Sequence, residues 1–331
     1  MIRYFAFLFA PVLFLASCGG SSSKNDNPAY HNPAIRPFTD SIEAEPGNAR
    51  YYFQRAEALS GMDMDSLALE DVQAALARDK DNPQYNFTSG FLLLKLNKPE
   101  EAVKVLLHCL QQSPGNAHIR LLLAKAYIAA HNPAAAQEQT GKILAAAPQH
   151  VPALMMQAQI KAELKDTLEA IRITKAILAA NPRNYEASFQ LADWYKASDN
   201  PATAAQYQAT FALDTTNADP LFEIGDFYEQ KKQWEKAKEA YRFCIRKDMD
   251  YTDAYLQLGK MLLAQDSVEK ALRHFNLAIN TRPNSAEGYF NKGLCFEKLH
   301  QKDSAIIAYR QAIVFDDTLQ GPREGLQRLK K

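Results

Sequence analysis

The strongest constraint on this chain is a pair of recurring positions at which bulk never appears. Counted on a period of 34 residues, the stretch from Ala49 to Leu319 divides into eight copies: 49–82, 83–116, 117–150, 151–184, 185–217, 218–251, 252–285 and 286–319, the fifth one residue short. The eighth position reads Ala56, Gly90, Ala124, Ala158, Ala192, Gly225, Gly259 and Gly293. The twentieth reads Ala68, Ala102, Ala136, Ala170, Ala204, Ala237, Ala271 and Ala305. Side chains this small are needed where two helix backbones cross closely, because anything larger overpacks the contact. In the last copy Tyr289, Gly293 and Phe296 share one helix face, and Ala305, Tyr309, Ala312 and Ile313 share another. The polar stretch from His300 to Ser304 between them predicts a tight antiparallel turn. Such a hairpin cannot bury its apolar stripes alone, so every copy needs a neighbour.

The period and its residues resemble the tetratricopeptide repeat (TPR) family. The signature positions are Leu191-Ala192 with Tyr195, Ile224-Gly225 with Tyr228, and Leu258-Gly259. In the second helices they are Ala237 with Tyr241, Ala271 with Phe275, and Ala305 with Tyr309. Pro114, Pro148, Pro182 and Pro283 close the repeats. The resemblance implies an all-α fold, a right-handed α-α superhelical solenoid of about eight helix-turn-helix repeats. It is specific for fold and nearly silent about activity. Residues 38–48 and 320–331 are expected to be capping helices, because an uncovered repeat would expose apolar surface. Asn132-Pro133 and Asn200-Pro201 fit an Asn N-cap followed by Pro at the first helical position.

Ahead of the repeats, Arg3 precedes a mostly apolar run from Tyr4 to Ala16 that is too short to span a bilayer. The run ends in Leu15-Ala16-Ser17-Cys18, and residues 1–17 resemble a bacterial lipoprotein signal. That resemblance implies cleavage before Cys18 and lipidation of its sulfur, with several acyl chains giving a stable anchor. Gly19 in place of Asp after the cysteine implies the outer membrane, periplasm-facing rather than surface-exposed. Residues 18–37 are expected to be a flexible tether, reaching about 60 Å if fully extended.

Function classes are narrowed mainly by what is missing. Lys+Arg and Asp+Glu both number 38, so there is no basic field for nucleic acid. The histidines after the tether are scattered, only His131 and His300 sharing a repeat position five repeats apart, and cannot converge, and HExxH, GxSxG and phosphate-binding glycine loops do not occur. No catalytic residue, metal site, cofactor or small-molecule substrate is expected. Cys109, Cys244 and Cys295 sit in small core slots several helices apart and read as apolar fillers.

Position 24 is bulky in Val72, Leu106, Tyr241, Phe275 and Tyr309 but becomes Thr140, Thr174 and Gln208 in repeats three to five. Less apolar area there predicts weaker packing in the middle of the array. The missing residue of repeat five is placed near Leu213-Asp214.

Binding should use the first-helix stripe at positions 2, 5, 9 and 12, which in the family lines a concave, peptide-binding groove. Position 5 reads Phe53, Phe87, Leu121, Met155, Phe189, Phe222, Leu256 and Phe290. These are either an apolar trough for a peptide or packing between adjacent first helices. The regular Lys and Asn clamp of relatives that grip C-terminal carboxylates is missing from position 9. Asp193 and Asp226, with Glu186, Asp219 and Glu229, make repeats five and six acidic, either for a basic partner or as a solvated face. The reading is a membrane-anchored scaffold that binds protein or peptide partners in an envelope assembly or secretion complex. The alternative is a self-associating or spacer lipoprotein.

Overall fold

A computed structural model describes residues 27–330, and every regular element among them is helical. The expected signal segment, Cys18 and the start of the tether lie outside the described residues. The chain divides into two units, Met1–His131 and Asn132–Lys331, and the division falls inside the third repeat.

The first unit contains α1 (Arg36–Ala44), α2 (Ala49–Ser60), α3 (Asp65–Leu76), α4 (Pro83–Lys95), α5 (Pro99–Gln112) and α6 (Ala117–Ala129). Structure begins earlier than the expected tether end at residue 37. Pro28–His31 forms a 3₁₀ turn, and Tyr30 and Ile35 are 4% and 0% exposed. The reason is a buried cation that the repeat pattern does not signal. Arg55 forms a two-pronged pair with Asp71 at 2.6 and 2.7 Å and donates to Thr39 Oγ1 at 3.2 Å. Its guanidinium lies 3.9 Å from the centre of the Tyr30 ring. The ion pair thus fixes both the 3₁₀ turn and α1 on the outer side of repeat one.

The second unit contains α7 (Pro133–Ala146), α8 (Val151–Glu163), α9 (Thr167–Ala180), α10 (Tyr185–Ala197), α11 (Thr203–Leu213), α12 (Asp219–Gln230), α13 (Trp234–Lys247), α14 (Thr252–Ala264), α15 (Val268–Thr281), α16 (Ala286–Lys298), α17 (Lys302–Phe315) and α18 (Gln320–Arg328). Its core has a large cluster around Tyr207, Tyr241 and Phe275 and a separate small one in repeat four around Ile173 and Ile177. In α18 the glycines carry the covering contact. Tyr309 packs so closely on Gly325, and Phe290 on Gly321, that a Cβ would fall 2.4 and 2.5 Å from the rings.

Each helix pair turns through the same device. The fifteenth residue of all eight repeats has a left-handed backbone: Asp63, Asn97, His131, Lys165, Asp199, Lys232, Asp266 and His300, with φ between 54° and 64°. The amide of the next residue then reaches back to the first helix, as in Gln301 N to Phe296 O at 2.9 Å and Lys98 N to Leu93 O at 2.8 Å. This ends the helix without glycine, largely with Asp, Asn and His, which tolerate that conformation. The turn is therefore shorter than the polar stretch suggests, and Lys302 to Ser304 already belong to α17.

The small eighth position faces the twenty-fourth of the same hairpin. A Cβ on Gly225 would sit 2.4 Å from Tyr241, on Gly259 2.6 Å from Phe275, and on Gly293 2.5 Å from Tyr309. Where position 8 is Ala the residue in the large slot varies: Val72 in repeat one, Thr174 in repeat four, and Tyr207 in repeat five. Thr140 and Thr174 are fully buried, and their hydroxyls donate to backbone carbonyls one turn back, Thr174 to Ala170 O at 2.8 Å.

Repeat five corrects the register. The gap does not fall near Leu213 but between Asn200 and Thr203. Asn200 still closes the turn onto Tyr195 O at 2.8 Å. Thr203, not Ala204, then fills the buried slot held by alanine elsewhere, at 0% exposure. Likewise Tyr207, not Gln208, fills the large slot and is fully buried. The Asn200 side chain caps only a turn, accepting from Ala202 N, while α11 starts late and spans 11 residues against 14 for α13.

Candidate functional site

Eight large side chains at position 5 do not form an open trough. Phe53 and Leu256 are buried, and Phe87, Leu121, Met155, Phe189, Phe222 and Phe290 are half-buried. Their rings are spent on internal packing. Phe53 lies 4.6 Å from Tyr85, Phe189 5.6 Å from Tyr207, Phe222 5.5 Å from Tyr241 and 5.3 Å from Tyr251, and Phe290 6.1 Å from Tyr309. Phe53 packs on the adjacent first helix, as one reading of the stripe expected, whereas Phe189, Phe222 and Phe290 pack on second-helix tyrosines of their own repeats.

The acidic residues of repeats five and six are engaged in the same way. Tyr207 donates to Asp193 at 2.6 Å, Tyr241 to Glu229 at 2.8 Å, and Tyr251 to Asp219 at 3.0 Å. Asp226 and Glu223 share the Lys196 ammonium, and Gln230 also donates to Asp226. Burial pushes the Asp193 carboxyl above its ordinary range, against the Tyr207 hydrogen bond that lowers it. Of the five, Glu186 and Asp219 are exposed. The pattern extends to repeat eight, where Glu297 accepts from Tyr309 at 2.5 Å and takes both prongs of Arg328 at 2.9 Å. The Arg328 bond is the main force holding that carboxyl below the ordinary range. Asp193, Glu229 and Glu297 thus tie first helix to second, while Glu223 and Asp226 tie α12 to α10 through Lys196.

Open space on the first-helix face survives between α8 and α10. A cleft of about 510 Å³ is lined there by Val151, Pro152, Met155, Met156, Gln159, Asn184, Glu186 and Gln190. Met155 is the expected position-5 residue that reaches it. The polar atoms around α10 are unusually underused: Gln190 Oε1, Tyr185 Oη and Trp194 Nε1 are buried without hydrogen-bond partners among the described residues. Burial, followed by Asp219 and Asp214, pushes the Tyr185 hydroxyl up to about 12, so it remains a neutral donor. Apolar sulfur-bearing walls with amides at the rim suit a peptide segment, whose backbone offers both donors and acceptors. In the first unit Phe87 lines a second cleft, of about 400 Å³, with Pro83, Asn116, His118 and Ile119. Gln190 sits at position 6 of its repeat, outside the stripe at 2, 5, 9 and 12.

The three cysteines are buried and unbonded to one another, and Cys109 and Cys244 donate to the carbonyls of Pro83 and Ala218. Burial pushes the Cys244 and Cys295 thiols up to about 12, which removes thiolate chemistry at neutral pH. Among the described residues no group of His, Cys, Asp or Glu could hold a metal ion, and no helix is long and apolar enough to cross a membrane.

Comparison with known proteins agrees with this architecture. Family profiles described as tetratricopeptide repeat match residues 93–160, 218–246 and 253–318. The chain is 25% identical over 118 residues to the chloroplastic tetratricopeptide repeat domain-containing protein PYG7 of Arabidopsis thaliana, covering 34% of this chain and 39% of that one. It is 25% identical over 222 residues to tetratricopeptide repeat protein 8 of Caenorhabditis elegans, covering 65% of this chain and 43% of that one. The chain therefore spans less than half the length of either relative. Among solved structures, the C-terminal part of a TPR repeat-containing protein from Cytophaga hutchinsonii superposes with a TM-score of 0.52 at 17% identity, over 72% of this chain and 99% of that one.

Proposed function

We propose that this array of tetratricopeptide repeats is a protein-binding scaffold, tethered by a lipidated Cys18 to the bacterial outer membrane and working in the periplasm. The observation that carries the binding half is the cleft between α8 and α10, with Met155, Met156, Gln159 and Gln190 around it. Most of the first-helix stripe is filled by its own rings, so a partner is read at this opening rather than along a continuous groove. The anchor half rests on the Leu15-Ala16-Ser17-Cys18 sequence. An envelope assembly or secretion complex is the setting that a membrane-tethered, non-catalytic repeat array would serve.

Crosslinking in intact cells, followed by capture of the full chain, tests the binding half. Wild type should yield heterologous partners that are lost with Met155→Glu plus Gln190→Ala, both chosen at the cleft and not at the packed rings. Self-links alone would favour the spacer reading, for which Ile307 and Val314, 68% and 73% exposed one turn pair apart on α17, offer an apolar contact. Labelling with an alkyne fatty acid tests the anchor. Label on the wild type and none on Cys18→Ser is expected, and equal labelling would remove Cys18 from the proposal.

A further inference from the structure

The late start of α11 opens a second cleft, on a different surface. With repeat five in its observed register, Ala204 occupies the slot that holds Leu69, Val103, Ile171, Leu272 and Ile306 in five repeats and Gln137 and Lys238 in the other two, all larger side chains. The missing bulk leaves a cleft of about 700 Å³ between α11, α12 and α13. Its floor is Ala204, Leu221, Ile224 and Ala240, with Tyr228 and Phe243 as walls. From α12 it uses positions 4, 7 and 11, and none of the stripe at 2, 5, 9 and 12, so it is separate from the first-helix face.

Charge along its rim is lopsided. Lys236 and Glu239 lie one turn apart at one end and offset each other. At the other end Arg246, which lines the cleft, lies 5.2 Å from the Phe243 ring; Lys247, next to it in sequence but outside the lining, is 5.7 Å from both Phe243 and Phe211. Neither Arg246 nor Lys247 has a carboxylate partner among the described residues, and both are exposed. Lys236 and Arg246 are ten residues apart on one helix face, so the cleft runs about 15 Å, the span of some five extended residues.

We propose that this cleft is a second docking site, for a short acidic segment of a protein partner. One large apolar side chain enters the slot beside Ala204, and carboxylates following it meet Arg246 and Lys247. The apolar slot gives affinity, and the two cations, resting near aromatic rings, set polarity and direction. A basic or neutral segment would leave those cations uncompensated.

Fluorescence anisotropy on the full chain tests this, using the labelled peptide Gly-Ser-Phe-Leu-Ser-Glu-Glu and its twin ending in Gln-Gln. The acidic peptide is expected to bind at least about tenfold more tightly, the equivalent of about 1.4 kcal/mol. Ala204→Leu, which restores the side chain other repeats carry there, should weaken binding by a similar factor without changing the melting curve. Arg246→Glu with Lys247→Glu, both on the surface, should do the same. Met155→Glu on the first-helix face should leave this binding intact. The proposal is overturned if the acidic probe does not bind wild type, if the two peptides bind equally, if Ala204→Leu binds as well as wild type, or if Met155→Glu abolishes binding.

Discussion

Replacing Gly259 by Ala would ordinarily stabilise a helix, by about 0.5–1 kcal/mol from backbone entropy alone. Here the added Cβ would lie 2.6 Å from Phe275 Cε1 and 2.9 Å from both Cδ1 and Cζ. Phe275 is fully buried, so the ring has nowhere to withdraw. Overpacking of this kind costs about 1–3 kcal/mol. The single variant should therefore lose about 0–2 kcal/mol despite its better helix propensity. Phe275→Val alone leaves a cavity and should cost about 2–4 kcal/mol. The double variant recreates the Ala56–Val72 pairing that repeat one buries at 1% and 0% exposure. There the clash disappears while the propensity gain remains, so it should be no less stable than Phe275→Val, a favourable coupling of about 1–3 kcal/mol. Urea unfolding followed by far-UV circular dichroism, with midpoints and slopes for all four proteins, measures the cycle. Additivity within about 0.5 kcal/mol would refute size matching between positions 8 and 24.

Three further outcomes are expected. Asp71→Asn strands the buried Arg55 charge and should cost about 3–5 kcal/mol, with faster proteolysis ahead of α1 as Tyr30 loses its cation; Arg55→Met with Asp71→Leu should cost less than Asp71→Asn, read from urea midpoints. Lys232→Gly relieves a left-handed residue, φ 57°, outside any helix, and should raise stability by up to about 1 kcal/mol in thermal melts. His274 is held below its ordinary value of 6.5 by burial first and then by Arg242 and Arg273. The unfolded chain therefore binds its proton more readily, so the contribution is complete above about pH 6.5 and is lost as pH falls through the depressed value; His274→Gln should flatten stability against pH below 6.5, measured by urea midpoints at several pH values.

Much of the fold could be read directly because backbone proximity imposes a size limit, and size limits are visible in a sequence. Position 8 announced the helix pairs without showing what each glycine faces. The structure supplies the rings of Tyr241, Phe275 and Tyr309 that lie against them. The candidate site was harder to read. Phe189 and Phe222 have the spacing of an exposed stripe, yet spacing alone cannot tell a side chain that meets solvent from one that meets Tyr207 or Tyr241. Asp193, Asp219 and Glu229 likewise look like an acidic surface until the tyrosine hydroxyls that use them are seen.

By itself, the sequence determined that this chain is a stack of helical hairpins, because local period and permitted volume are properties of the order of residues. Only the tertiary structure decided where the missing residue of repeat five falls. Ala204 and Thr203 are both small enough for the close crossing, and Tyr207 and Gln208 are neighbours, so counting cannot choose between them. Burial chooses: the tyrosine ring goes inside, α11 shifts by one residue, and the slot beside Ala204 is left open.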